Sequence, residues 1–566
     1  MDDFRKNILE SLQIDDKDSN IFVKPTDKKF GDYATNVALI EAKKRKISPY
    51  DYYKTIENKL KSCALVKDVV FLNGFINFYI NNCELAKTVL EYDYTGRMIK
   101  EDKPYMTALV EFPSPNMAKP FSVGHLRSAN QGWAARNILK KVGWSVMTDN
   151  HIGDYGTPFG IWAEGYELLS NKSRLKKDGI YELGRIYVEM RKLLKEENIN
   201  GEKKLADRVQ DWLSRLNVNE QQAVKYHELF YDISIKHMHQ IMARLGVSTD
   251  NEYGESFYVE KGQKLVDEYI KMGVVKQNED GSVVADLNKY GIETPMLLRK
   301  SNGLPLYATT DVATMVFRKE RFNPQLVVYA VGNEQRFYFE QLFAFANIIN
   351  IPYDKYHLSY GMIEDYDEES GKRKKISSRK GTILLEDLLD KAERKVREIT
   401  KGKEISKKDV SKIAVGAIKF RDFSQDRNNN YLFDWDRMFS TTGFAGSSIQ
   451  YSAVRIKKIM NDAKVEINSN AFVEGYPYEA EKDLLIKISE YNGLLKVVSE
   501  NFRFHNLANY LYEVSKLLNS YYDQVPIIKG SVTAEEKKAR VKFLGKIFEI
   551  LKDGLDILGI EIPERM

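Results

Sequence analysis

Ala108, Leu109 and Val110 form an unbroken apolar run, the pattern of a parallel strand buried on both faces. Past a polar loop, Leu126, Ala129 and Trp133 recur at steps of three and four residues, which predicts a helix, and Gly143 stops it. The pattern returns downstream: QLVVYAVG (Gln325 to Gly332) reads as a buried strand and FYFEQLFAFANIIN after it as a helix. Between these blocks, from about Glu164 to Gly246, charged residues with helical periodicity (YELGRIYVEMRKLL, DWLSRL, YHELFYDISIKHMHQIMARLG) predict a helical insertion between two halves of one sheet. The first hundred residues mix helix with short strands, and NGFINFYI (Asn73 to Ile80) alternates like a strand that exposes aromatics. Beyond about Ile413 the pattern is almost wholly helical, and no repeats or low-complexity tracts interrupt the chain.

Length and composition narrow the class. With 566 residues, three or four domains are expected at roughly 150 residues each. An apolar fraction of 43% suffices for real cores, and no run of about 18 apolar residues suggests a membrane span. The start, MDDFRKNILESLQIDDKDSN, is acidic and without an apolar core segment, so a cytoplasmic protein without a leader is expected. Cys63 and Cys83 cannot build a zinc quartet or a disulfide framework, and His237 and His239 fall on different faces of a helix, so no protein-bound metal is expected. A net charge of +5 is too mild to indicate nucleic acid on its own. Basic density in GKRKKISSRKG (Gly371 to Gly381), KGKEISKKDVSK (Lys401 to Lys412) and KKARVKFLGK (Lys537 to Lys546) points more directly to phosphate contacts.

The chemistry concentrates in EFPSPNMAKPFSVGHLRSANQG, Glu111 to Gly132. A helix that opens at the carboxyl end of a parallel strand presents free N–H groups and a partial positive charge, and so favours an anion. The spacing matches neither the dinucleotide fingerprint nor the P-loop.

This block resembles the HIGH signature of class I aminoacyl-tRNA synthetases, and specifically the SPNxAKPFxxGHLRS form of arginyl-tRNA synthetases. Three further blocks follow in that family's order: NHIGDYGTPFG (Asn150 to Gly160), LYATTDVA (Leu306 to Ala313) and KISSRKGTILLEDLLDKA (Lys375 to Ala392). FGDYATNVAL (Phe30 to Leu39) and the closing PERM (Pro563 to Met566) extend the likeness to both ends. The resemblance implies an α/β class I fold: a Rossmann-like parallel sheet with a helical insertion over about 164–246, inside a catalytic domain of 101–400. It places an α+β tRNA-elbow-binding domain at 1–100 and an all-helical anticodon-binding domain at 401–566.

Site residues follow position by position from the same likeness. Gly124 and His125 would meet ATP, the glycine by letting adenine approach and the imidazole as a donor to phosphate; Lys119 and Ser122 would also contact the triphosphate. Lys375 matches the first lysine of the family's mobile KMSKS loop, supported by Ser377, Ser378 and Arg379. Ser122 departs from the pattern, standing where relatives often carry the first histidine of HxGH, and this exchanges a chargeable group for a neutral donor. Glu111, Asn116, Tyr307, Asp311 and Gln335 match the arginine site; a planar guanidinium calls for a facing carboxylate with further acceptors, and Tyr307 and Asp311 are one helical turn apart. Glu255 is a further acidic candidate, and for Glu111 or Asp311 the competing reading is a buried acid paired with a structural arginine. Asn73, Phe75 and Asn77 match the segment that grips the tRNA elbow, and Tyr522 and Met566 match anticodon contacts, although Pro526 replaces an aromatic that relatives carry four residues after the tyrosine.

The expected activity is arginine–tRNA ligation through an arginyl-adenylate, with ATP as substrate alongside Mg²⁺. Arginine tRNA and L-arginine are the partners, without DNA or membrane, and the enzyme is expected to be a monomer. A lysine-type class I synthetase is one rival, separable by which amino acid is charged. A weakened paralogue that only binds tRNA is the other; Ser122 favours it, while His125, Lys375 and the complete pocket set oppose it.

Overall fold

The computed structural model describes residues 8, 22–23, 27–98, 106–201, 203–366, 373–375, 384–432, 438–439, 443–465, 476, 478–528, 530 and 532–566. They fold as two compact units, one of Arg97–Met438 with Ile557–Ile560, the other of Met1–Gly96, Phe439–Asp556 and Glu561–Met566.

The first unit is built on a five-stranded sheet of β1 (Thr107–Glu111), β2 (Ser145–Ile152), β3 (Asn251–Gly254), β4 (Leu326–Tyr329) and β5 (Asp354–His357). All strands run parallel in the spatial order β5-β4-β1-β2-β3. Ala108, Leu109, Val110, Val327 and Val328 are fully buried, which accounts for the continuous apolar runs; a buried Val or Leu side chain contributes about 1.5–3 kcal/mol. The chain passes from β1 through helix α1 (Val123–Lys141) to β2 on one side, whereas β4 joins β1 on the other side. The strand order therefore reverses between β1 and β4, and a crevice opens beyond their carboxyl ends. Register brings Glu111 opposite both Asp149 of β2 and Tyr329 of β4 at that edge.

Between β2 and β3 lie five helices: α2 (Thr157–Leu169), α3 (Lys172–Asp178), α4 (Ile180–Ile199), α5 (Lys204–Asn217) and α6 (Gln221–Leu245). They share a core that includes Phe159, Trp162, Leu183, Met190, Trp212 and Phe230. Helix α2 starts earlier than the charged pattern suggests, because its first turns (TPFGIWA) are apolar and buried. Gly160 is required there: a Cβ would stand 2.1 Å from the Val209 carbonyl oxygen of α5.

Beyond β3, α7 (Glu255–Lys271) packs on α8 (Tyr307–Phe322), and a small antiparallel sheet of Lys276–Gln277, Val283–Ala285 and Met296–Arg299 lies between them in sequence. The hydrophobic pattern had not distinguished this sheet from the main one. Helix α9 (Arg336–Ile348) follows β4. Ile363–Tyr366 then pairs antiparallel with Arg373–Lys375 and parallel with Tyr431–Leu432. Helices α10 (Leu385–Ile399) and α11 (Lys407–Phe423) complete this unit, and the buried pair of Arg127 and Asp422, 2.7 Å apart, fastens α11 to α1.

In the second unit the amino-terminal residues form an antiparallel sheet in the order Phe22–Val23, Tyr33–Thr35, Phe75–Ile80, Val66–Leu72. Asn73 and Gly74, both at positive φ (50° and 86°), make the tight turn between its last two strands. Among the described residues, five helices from Gly446–Ala463 to Ala534–Ile557 supply the carboxyl-terminal part. The two parts are joined by Lys482 on Asp32 (2.7 Å), Tyr33 Oη donating to Glu490 (3.1 Å) and Lys546 donating to the Tyr92 carbonyl (2.9 Å).

Candidate active site

The crevice beyond β1 and β4 contains a cavity of about 440 Å³. Glu111, Asn116, Ser122, Gly124, His125, Tyr307, Asp311 and Gln335 all line it, so residues spread over more than two hundred positions meet at one place.

One wall is the start of α1. Ser122 is its N-cap, and the backbone N–H of Ser122 donates to His125 Nδ1 at 3.0 Å, with the Ser122 Oγ 3.2 Å from the same nitrogen. His125 stacks on Phe121 with ring centroids 4.7 Å apart. Burial, opposed by the Ser122 N–H bond and reinforced by Lys119, pushes its pKa down to about 4. The ring is therefore neutral near pH 7. Because Nδ1 accepts, the proton sits on Nε2 and makes a neutral donor. Ser122 orients that ring as well as lining the cavity. At Gly124 a Cβ would meet only the Ser122 Oγ, at 3.5 Å, so nothing in the protein's own packing demands glycine there. Its lack of a side chain leaves the cavity wall open at a helix N-terminus.

The loop before α1 is fixed from two sides. Asn150 Oδ1 accepts from the Ser114 N–H (3.1 Å), and Met117 N–H donates to the Gly153 carbonyl (2.9 Å), which zips the SPNMAK and NHIGDYG blocks together. From α6, Ser234 Oγ accepts from the Ala118 N–H (2.8 Å) and His237 Nε2 from the Phe121 N–H (3.4 Å). Ser234 and His237 had no assigned role from sequence; their three-residue spacing on a helix was the available signal.

The opposite wall is acidic. Asp311 Oδ2 accepts a hydrogen bond from Tyr338, and Oδ1 lies 3.3 Å from His151 Nε2. Tyr307 begins α8 and packs edge-on against Tyr338, with centroids 4.9 Å apart. Glu255, at the start of α7, and His151 line the same cavity. Burial, with help from Asp311 and Asp154 and against His151, pushes Glu255 up to about 8. For His151, burial acts downward, but the facing Asp311, with Glu111 and Glu255 behind it, raises its pKa to about 9. Burial and the adjacent Asp311 likewise hold Tyr338 protonated, far above the usual phenol range. Neither His151 nor Tyr338 was singled out from sequence, although His151 sits inside the block Asn150 to Gly160.

Glu111 is buried and already paired: Arg318 of α8 contacts its carboxylate at 2.6 Å and that of Asp149 at 2.6 Å. This is the competing reading, a buried acid with a structural arginine. Two carboxylates around one guanidinium nevertheless leave one net negative charge at the cavity edge. Asn116 and Gln335 are exposed at its rim.

The Lys119 ammonium sits 4.6 Å over the Tyr187 ring of α4. Lys375 ends the strand Arg373–Lys375, and Ser377, Ser378 and Arg379 lie outside the described residues. In the second unit, Asn73 forms the turn and Phe75 is exposed beside it, but Asn77 is buried, its Nδ2 donating to the Val70 carbonyl at 3.3 Å. Arg455 covers the Tyr522 ring at 4.0 Å, and Met566 is half-buried at the chain end. Within the basic stretch 537–546, Arg540 is buried against Glu481 and Lys546 pairs with Glu549, so part of that charge is spent internally.

Family models match in three consecutive pieces: an arginyl tRNA synthetase N-terminal domain over residues 2–80, a class I (R) tRNA synthetase catalytic domain over 88–435, and a DALR anticodon binding domain over 449–566. The chain is similar to an arginine–tRNA ligase of Halothermothrix orenii, 29% identical with all of both chains covered. It is 30% identical to one of Fusobacterium nucleatum over 96% of this chain and 94% of that one. Among solved structures, the arginyl-tRNA synthetase of Thermus thermophilus shares the fold at a TM-score of 0.80, with 21% identity and full coverage of both chains.

Proposed function

The chain belongs to the class I arginyl-tRNA synthetases, and from that premise we propose that its 440 Å³ cavity holds arginine on the acidic wall and ATP at the start of α1. The enzyme is an arginine–tRNA ligase: it activates L-arginine with ATP to arginyl-adenylate and transfers the arginyl group to the terminal ribose of arginine tRNA, releasing pyrophosphate and AMP.

The observation that carries the site assignment is the meeting of two opposite preferences in one cavity. Asp311, Tyr307 and Glu255 offer acceptors to a cation, while Gly124 and His125 offer space and donors to an anion. In this reading Asp311 takes the guanidinium, with Tyr307 and Glu255 beside it. The net negative charge of Glu111, Asp149 and Arg318 takes the α-ammonium, and Asn116 and Gln335 close the rim. The α-carboxylate then attacks the α-phosphate, and the neutral Nε2–H of His125 donates to a phosphoryl oxygen on which charge develops. Ser122 orients His125, and Lys375, with Ser377, Ser378 and Arg379, covers the triphosphate; Lys119 reaches it only if it leaves Tyr187. Mg²⁺ arrives on ATP as part of the substrate. Phe75 at the exposed turn, with Asn73, contacts the tRNA elbow, buried Asn77 holds that hairpin together, and Tyr522 and Met566 contact the anticodon stem-loop. The enzyme works as a cytoplasmic monomer.

A charging assay with total tRNA and each amino acid in turn tests the reading. Arginine alone should support charging; charging with lysine, or with none, would overturn it.

A further inference from the structure

The acidic wall contains one more ionisable group than a guanidinium site requires. His151 is only 8% exposed and leans on Tyr258 with ring centroids 5.5 Å apart. Its Nε2 faces Asp311 Oδ1 at 3.3 Å, and among the described residues neither ring nitrogen has any other polar partner. A buried imidazole whose one polar neighbour is a carboxylate is favoured in its charged form by that carboxylate. The other acids around it have partners of their own, except Glu255, which burial holds largely protonated. Asp311 Oδ2 is bonded by Tyr338; Glu111 belongs to Arg318, as does Asp149. Asp154, behind Glu255, is bonded by the N–H and Oγ of Ser256 (2.8 and 2.7 Å) and faces His227 at 3.2 Å. Burial holds Tyr258 protonated, well above the usual phenol range.

We propose that His151 is a specificity-determining residue of the arginine pocket: a resident cation that neutralises Asp311 until a guanidinium replaces it, so that arginine binding expels the His151 proton to solvent. The inference rests on the reading of this wall as the arginine site. Before arginine binds, the imidazolium and the Asp311 carboxylate cancel, with Glu255 largely protonated. A guanidinium brought against Asp311 adds a second cation within a few ångströms of the first, in a cavity partly shielded from water. The imidazolium loses the partner that kept it charged against burial, and its proton leaves. No covalent bond changes, and charge balances as one proton out for one guanidinium in. The proton is removable near neutrality because the acids hold His151 at about 9 rather than irreversibly charged. Selectivity follows. A neutral isostere such as L-citrulline has the shape of arginine but cannot displace the imidazolium, so it meets an Asp311 that is already satisfied.

Isothermal titration of the full-length protein with L-arginine at pH 7.5, in two buffers of different ionisation enthalpy, counts the protons. Wild type should release on the order of one proton per arginine bound, and His151→Asn less than about half of that. In charging assays with tRNA and ATP, the arginine KM of wild type should fall about fivefold or more between pH 6.5 and 8.5. His151→Asn should flatten that slope to about twofold while kcat keeps its own pH profile. A merely structural histidine would raise KM at all pH values without changing the slope. Arginine binding with no proton released by wild type, or with equal release by His151→Asn, overturns the proposal and leaves the ligase reading intact. Failure of arginine to bind or be charged instead overturns the reading of the pocket itself.

Discussion

Asp311→Asn isolates the charge at the centre of the proposed arginine pocket. Asparagine preserves the shape, and its Oδ1 can still accept from Tyr338, so α8 and α9 keep their contact and the thermal midpoint should stay within a few degrees of wild type. What disappears is a charge-assisted bond to the guanidinium, worth about 1.5–3 kcal/mol. The side chain is 23% exposed, which weakens the lower-dielectric gain and favours the lower half of that range. At about 1.4 kcal/mol per decade, the arginine KM should rise roughly ten- to fiftyfold. The KM for ATP should change less than about twofold, because the α1 start is untouched. Steady-state charging with arginine, ATP and tRNA varied in turn reads all three constants. An arginine KM within twofold of wild type, in a variant that remains folded, would refute the assignment of Asp311 to the guanidinium.

Gly124→Ala should leave stability unchanged or raise it by up to about 1 kcal/mol, since alanine favours a helix and the added Cβ meets only the Ser122 Oγ; adenylate formation should nevertheless fall at least tenfold in single-turnover assays. Ser122→Ala should cost less than His125→Ala, because the backbone N–H that orients the imidazole survives the first change; about 0.5–1.5 kcal/mol of barrier is expected for the serine hydroxyl against 2.7–4 for the histidine, and equal damage in adenylation assays would contradict this. Gly160→Ala drives a Cβ into the Val209 carbonyl and should separate α2 from α5 at about 1–3 kcal/mol, seen as a lower thermal midpoint. Arginine-dependent pyrophosphate exchange is expected to require bound tRNA, as the family likeness suggests, so robust exchange in its absence would count against that dependence.

The central strands and α1 were legible in the chain because a buried parallel strand and the helix after it leave opposite periodicities, as Ala108–Val110 and Leu126–Trp133 do. The opening of α1 at Gly124 and His125 was legible too, since a helix start after a strand is a local feature. The small sheet between α7 and α8 was not: its strands, two to four residues each, are too short to establish a period. The basic stretch 537–546 suggested phosphate contacts, but composition does not show that Arg540 faces inward to Glu481.

Sequence alone determined which residue types were available to the site: an anion-favouring helix start, two acids and a phenol for a cation, and a chain order shared with one synthetase family. Tertiary structure decided which of those charges remain free. Glu111 is paired with Arg318, and Asp311 faces His151 and Tyr338, through partners that approach only when β1, β2, α8 and α9 assemble. The physical reason is range. Periodicity and capping act over a few residues and are written locally, whereas the ionisation of a buried acid depends on whatever cation packing brings within about 4–6 Å, however distant in the chain.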